Sequence, residues 1–183
     1  MFQSNKEYID FLIQSGVHTF LKETPNNLLE TKELKGDSFK KKDVKALEDI
    51  YEVNELISII VNQESILQKT AKKLVLYDGD LKSNLMIIGE APGQEEDEKG
   101  IPFVGRAGQL LNKMLSAIKL ERKNVYLTNV LPWRPPQNRT PTDQEILDFL
   151  PFLQKQIEII KPKIIYLLGT TAAKAILSTP LSL

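Results

Sequence analysis

The sequence contains no cysteine. That absence excludes disulfides, a cysteine nucleophile, and zinc or iron–sulfur centres held by thiolates. Histidine is almost as scarce, and the single one, His18, falls in an N-terminal helical pattern where it is given no chemical role. Neither sign of charge predominates: 24 basic and 24 acidic residues give a formal net charge of +0. Global electrostatics therefore neither requires nor forbids a nucleic-acid partner, and any DNA site must be a local basic patch. No apolar run approaches the roughly 20 residues that span a bilayer. The start, Met1-Phe2-Gln3-Ser4-Asn5-Lys6, lacks a signal peptide's basic start and continuous apolar stretch. A cytoplasmic protein with no membrane partner is expected. What remains is a chain of 183 residues, 42% hydrophobic, enough for one ordinary core plus an extension.

Between Lys6 and Lys22 the apolar residues Tyr8, Phe11, Leu12, Val17, Phe20 and Leu21 recur at near-helical spacing, and Pro25 marks a stop beyond them. Residues 24–43 are polar and read as a solvated linker, although Lys40-Lys41-Lys42 could also meet phosphate. Residues 43–63 carry Val44, Leu47, Ile50, Tyr51, Leu56, Ile57 and Ile60, the pattern of a second amphipathic helix. Residues 1–64 thus form a helical extension and linker, and residues 65–183 form the main domain. There the period changes. Leu74–Tyr77 reads as a strand stopped by the turn signal Asp78-Gly79-Asp80, and Leu85–Ile88 as a buried strand ending at Gly89. A helix follows through Leu110, Leu111, Met114, Leu115 and Ile118, then a strand over Val125–Val130. Thr142 and Glu145 form a capping box opening a further helix, which Pro151 should kink. Ile164–Leu168 is a last strand, and Thr170 begins one more helix. This alternation predicts an α/β fold with a short parallel sheet, whose ligands sit beyond the carboxyl ends of the strands.

Three loops therefore hold the candidate site: residues 89–108, 129–142 and 169–172. In the first, Gly89 and Gly93 permit close backbone approach to a ligand, but the spacing lacks the lysine and hydroxyl of a nucleotide phosphate loop. Glu90 directly follows a buried strand, placed either as a base or cation stabiliser aimed into a cleft or as a turn carboxylate capping amides. Phe103 either offers a flat face to a base or tucks into the core. Asn129 ends a strand, and its amide can both donate to and accept from a pyrimidine edge, or cap a turn. The stretch Pro132-Trp133-Arg134-Pro135-Pro136-Gln137-Asn138-Arg139 combines rigidity, an aromatic and two guanidinium groups. It suits a nucleic-acid backbone or a structural loop with solvated arginines.

Taken together, Gly89-Glu90-Ala91-Pro92-Gly93, the run from Gly100 to Leu111, the run from Asn129 to Arg139, and Leu168-Gly169-Thr170-Thr171-Ala172-Ala173 resemble the four ordered motifs of family 4 uracil-DNA glycosylases. The resemblance covers about residues 65–177. It implies a three-layer α/β/α sandwich acting on uracil-containing DNA by flipping the base out and hydrolysing its N-glycosidic bond. It further implies that Glu90 positions the water or stabilises the sugar cation, with Gly89, Gly93, Phe103 and Asn129 binding the base. Arg134, Asn138 and Arg139 would contact DNA.

Two departures qualify these expectations. The family holds an iron–sulfur cluster through cysteines, whereas Ser65 and Trp133 stand at two of the corresponding positions. No cofactor and no metal site are therefore expected. The family's chain also continues to a further strand and a His-Pro motif, whereas this sequence ends at Ser178-Thr179-Pro180-Leu181-Ser182-Leu183. The domain is thus expected to be C-terminally incomplete, with Ile164–Leu168 left as an apolar edge, and to be a possible partner for a separate chain supplying the segment. The resemblance implies that the histidine of that motif helps stabilise the leaving uracil, and loss of one such donor costs about 10² to 10³ in rate, so activity is expected to be reduced or lost. The alternative is a non-catalytic DNA-binding or structural remnant.

Overall fold

The computed structural model describes residues 47, 49–63 and 65–177. The expected N-terminal helix with His18, the linker with its three lysines, and the C-terminal tail from Ser178 lie outside the described residues. All the described residues belong to one compact unit, Lys32–Leu183. Among them no helix is long and apolar enough to cross a membrane.

Four strands form one sheet among the described residues: β1 (Tyr77–Gly79), β2 (Leu85–Gly89), β3 (Tyr126–Asn129) and β4 (Ile164–Leu167), in the order β1-β3-β2-β4. The expected parallel core is present, because β2 pairs parallel with both β3 and β4. The sheet as a whole is mixed, since β1 runs antiparallel to β3. The strand expected to stop at Tyr77 instead starts there. Asp78 and Gly79 belong to the ladder, not to a turn. Gly79 has φ +94, and a Cβ there would lie 1.9 Å from the Val125 carbonyl oxygen, so the glycine serves close backbone approach.

Alternation along the strands divides the core. Met86, Ile88 and Tyr126 face one side, while Ile87, Val125 and Leu127 face the other. On the first side lie α1 (Val53–Asn62), α5 (Asp143–Ile160) and α6 (Thr170–Leu177), supplying Leu56, Ile60, Phe149, Phe152, Leu153 and Ala172. On the second lies α4 (Arg106–Ala117), supplying Leu111 and Leu115. Helices on both faces of one sheet make the three-layer sandwich. Leu47, Ile50 and Val53 share the core cluster of the sheet. The single helix expected over residues 43–63 is interrupted: α1 starts only at Val53. There the Glu55 carboxylate accepts from the Tyr51 and Glu52 amides at 3.0 and 3.2 Å.

Two short helices had no apolar periodicity to announce them, α2 (Ile66–Thr70) and α3 (Gln94–Lys99). The capping box at Thr142 is formed, with the Glu145 amide donating to Thr142 Oγ1 at 3.2 Å and the Thr142 amide donating to Glu145 at 2.8 Å. The helix it opens, α5, runs from Asp143 to Ile160 with Pro151 inside it. At the opposite edge from β1, β4 exposes Ile164 and Tyr166, at 62% and 49%.

Candidate functional site

Strands β2 and β3 end in register, Gly89 opposite Asn129, so their carboxyl ends open onto one place. The backbone beyond them is fixed. The Val130 amide donates to the Gly89 carbonyl at 2.9 Å and the Leu131 amide to the Glu90 carbonyl at 3.1 Å. A glycine at position 89 is required by its surroundings: an added Cβ would lie 2.5 Å from Asn129 Oδ1 and 2.7 Å from Phe103 Cζ. The Asn129 amide and the Phe103 ring thus converge over the Gly89 α-carbon, and Glu90 is the next residue. Sequence reasoning offered Phe103 to the core or to a ligand; the ring is half-buried, packed against the cluster of Ile87, Leu111 and Leu115 at this convergence. Asn129 is buried, yet among the described residues no group hydrogen-bonds its side-chain amide. A side-chain amide that no protein group engages can receive a polar edge.

Glu90 is half-buried, and Thr171 Oγ1 donates to its Oε2 at 2.5 Å. Thr171 is itself buried, on the first turn of α6 beyond Gly169. The hydroxyl engages one of the two carboxylate oxygens. This contact joins the first and third loops across a separation no local pattern could reveal.

The first loop is held by two charged side chains that the sequence did not single out. Glu96, on α3, accepts through Oε1 from the amides of Val104 and Gly105 at 2.9 and 2.8 Å, and through Oε2 from that of Gly93 at 3.1 Å. Gly93 accordingly caps α3 and carries a brace, with a Cβ there 2.8 Å from Glu96 Oε2. Arg122 donates to the carbonyls of Pro102 and Phe103, both at 2.7 Å. Asp97, also on α3 and 2% exposed, accepts from the amides of Lys72 and Lys73 at 2.7 and 3.2 Å.

The second loop is held differently. Arg134 Nε donates to Asn138 Oδ1 at 2.7 Å, and Arg134 also stands 3.7 Å from Asp97. Arg139 makes a two-pronged pair with Glu145, at 2.8 and 2.6 Å, while its side chain stays 40% exposed. Hydrogen bonding from Arg139, reinforced by the Thr142 amide, holds the Glu145 carboxyl below its usual range. These three expected DNA-facing residues are therefore held by one another and by Glu145 and Asp97.

The fold, the convergence over Gly89 and the glycine-rich first loop coincide with a family match. The family model of the uracil DNA glycosylase superfamily matches residues 76–183. The chain belongs to this superfamily. Among its relatives is a type-4 uracil-DNA glycosylase of Pyrobaculum aerophilum, 46% identical over 129 residues, which are 70% of this chain and 65% of the relative. One of Archaeoglobus fulgidus is 44% identical over 133 residues, 73% of this chain and 64% of the relative. One of Thermotoga maritima is 48% identical over 99 residues, 54% and 52% of the two chains. The chain thus spans between about half and two thirds of the length of these relatives.

The iron–sulfur cluster implied by the type-4 resemblance needs thiolate donors, and the residues here do not fit it. Ser65 Oγ accepts from the Leu67 amide at 3.2 Å and so serves as the N-cap of α2. Trp133 is 5% exposed and belongs to the main core cluster, where its indole nitrogen is buried without a hydrogen-bond partner. A hydroxyl engaged in capping and an indole cannot ligate iron as thiolates do.

Proposed function

We propose that this domain hydrolyses the N-glycosidic bond of uracil in DNA. The observation that carries it is the convergence of the Phe103 ring and the Asn129 amide over Gly89, one residue from a carboxylate held by Thr171. Uracil must leave the helix stack to be reached, at a cost of a few kcal/mol. Stacking on Phe103 and phosphate contacts from Arg134, Asn138 and Arg139 offset that cost. The unpartnered Asn129 amide meets the polar edge of uracil, and cytosine's amino group in the same pose would face a donor, a mismatch costlier than a lost methylene.

In the chemical step the bond from sugar C1′ to the base nitrogen breaks and its electron pair leaves with uracil; water adds at C1′ as hydroxyl, and the proton it sheds ends on the uracil anion. Oxocarbenium character develops on the deoxyribose, so an anion beside the sugar lowers the barrier. Glu90 supplies that anion or orients the water through Oε1. Support for a cluster-free domain comes from the donor chemistry at Ser65 and Trp133, and no step requires iron.

The test is uracil release from a labelled oligonucleotide by wild type and Glu90→Gln, with a control for contaminating host glycosylase. Release falling by about 10²-fold or more in the variant, with DNA binding retained, is expected. The wild-type rate also measures whether activity is reduced. No release from folded wild-type protein would sink the catalytic assignment and leave a DNA-binding domain that does not cut.

A further inference from the structure

Phe103 is the residue on which base stacking depends, and its backbone has φ +55, in the left-handed region that a bulky side chain adopts only when its surroundings impose it. Two features impose it here. A Cβ at position 108 would lie 1.9 Å from the Phe103 carbonyl oxygen, so only glycine lets α4 approach this closely. On the other side one guanidinium gathers the chain: Arg122 Nη1 donates to the Phe103 carbonyl and Nη2 to the preceding Pro102 carbonyl, each at 2.7 Å. Two successive carbonyls can meet one planar fork only if the chain turns sharply between them. The fork is fixed in turn by Asp78 Oδ2, which accepts from Nε at 2.9 Å and Nη2 at 2.5 Å, and by Asn112 Oδ1 at 3.3 Å. Arg122 thus joins β1, α4 and the Phe103 turn, with its side chain 24% exposed.

We propose, on the reading of the site given above, that Arg122 is a positioning residue for base recognition: it holds Phe103 in the backbone geometry that places the ring over Gly89 beside Asn129. It touches no reacting atom. Lysine cannot replace it, because an ammonium lacks the planar fork that serves two carbonyls and a carboxylate together. Asp78 acts one step further out, by orienting the guanidinium.

The experiment compares wild type with Arg122→Gln, Arg122→Lys and Asp78→Asn, the last two as milder changes should the first not fold. Four quantities are read: single-turnover uracil release, inhibition by free uracil, binding of an oligonucleotide, and amide hydrogen exchange over residues 103–105. In Arg122→Gln, release should fall about 100-fold and inhibition by uracil should weaken about tenfold, while oligonucleotide binding changes by no more than about twofold. Exchange should accelerate over 103–105 and stay unchanged in β2 and β3. Arg122→Lys and Asp78→Asn should fall between. A merely structural role would instead raise exchange throughout and spare uracil inhibition in the folded fraction; that result, or unchanged exchange over 103–105, would overturn the proposal. Exchange needs no activity, so wild-type protein that neither releases nor is inhibited by uracil would refute the assigned function, leaving the anchoring by Arg122 to be decided by exchange alone.

Discussion

The two loops that flank the candidate site are secured by opposite means. In the loop from Gly89 to Gly108, charged side chains reach the backbone itself: Glu96 takes three amides and Arg122 two carbonyls. In the loop from Asn129 to Thr142, the guanidinium groups mainly hold other side chains, Arg134 with Asn138 and Arg139 with Glu145, besides one bond from Arg139 to the Thr140 carbonyl. A side chain bound to backbone fixes the path of the chain, whereas side chains bound to each other at the surface fix mainly their own rotamers. Recognition of a base needs a rigid frame, because an error of about 1 Å costs orders of magnitude in rate. Contact with phosphates tolerates adjustment and carries no sequence information. The loop braced through its backbone by side chains is accordingly the one bearing Phe103, and the arginines sit where side chains mainly hold side chains.

The sharpest way to break that contrast is Glu96→Ala. Three backbone amides lose a charge-assisted partner, and destabilisation of about 2 to 3 kcal/mol is expected, read as a lower urea midpoint. A loss below about 0.5 kcal/mol, the size of an ordinary surface change, would mean that the first loop is no better fixed than the second. Thr171→Val probes the rigid side at the carboxylate. Removing the hydroxyl that donates to Glu90 should lower uracil release about tenfold, equivalent to about 1.4 kcal/mol, with little change in substrate KM and with rescue by Thr171→Ser. Equal loss in the serine variant would point to packing of the methyl group instead. The smallest effect belongs to the second loop. Hydrogen bonding from Arg139 lowers the folded-state value of Glu145, so the pair's stabilisation is fully present above the unfolded value of about 4.3 and is lost as pH falls through the lower folded value. The stability gap between wild type and Arg139→Ala should therefore be small at neutral pH and close in acid, whereas a gap that widened in acid would assign Glu145 a different partner.

What the sequence made legible and what it hid divide along the same line. Ile87, Ile88 and Leu127 announced their strands through short apolar runs, and Thr142 with Glu145 announced α5 through a local reciprocal cap. The residues at the strand ends, Glu90 and Asn129, could be placed because ligands on such sheets gather there. Helix α3 was missed because Gln94–Lys99 is polar throughout and offers no apolar period. Asp78 and Gly79 were misread because turn chemistry and close strand approach both call for glycine. Glu96, Arg122 and Thr171 were passed over because their importance lies in partners distant along the chain. A carboxylate that cradles a loop and one that merely dissolves a helix look alike until the fold is known.

The single tryptophan gives this architecture a reporter of its own. Trp133 is buried in the main core, yet it begins the arginine-bearing stretch of the second loop. Its indole nitrogen has no hydrogen-bond partner there, so its fluorescence should lie at short wavelength in the folded protein and shift to the red wherever water reaches it. With no second indole to mask the signal, emission from this one side chain follows the docking of that loop onto the core directly, without an added label.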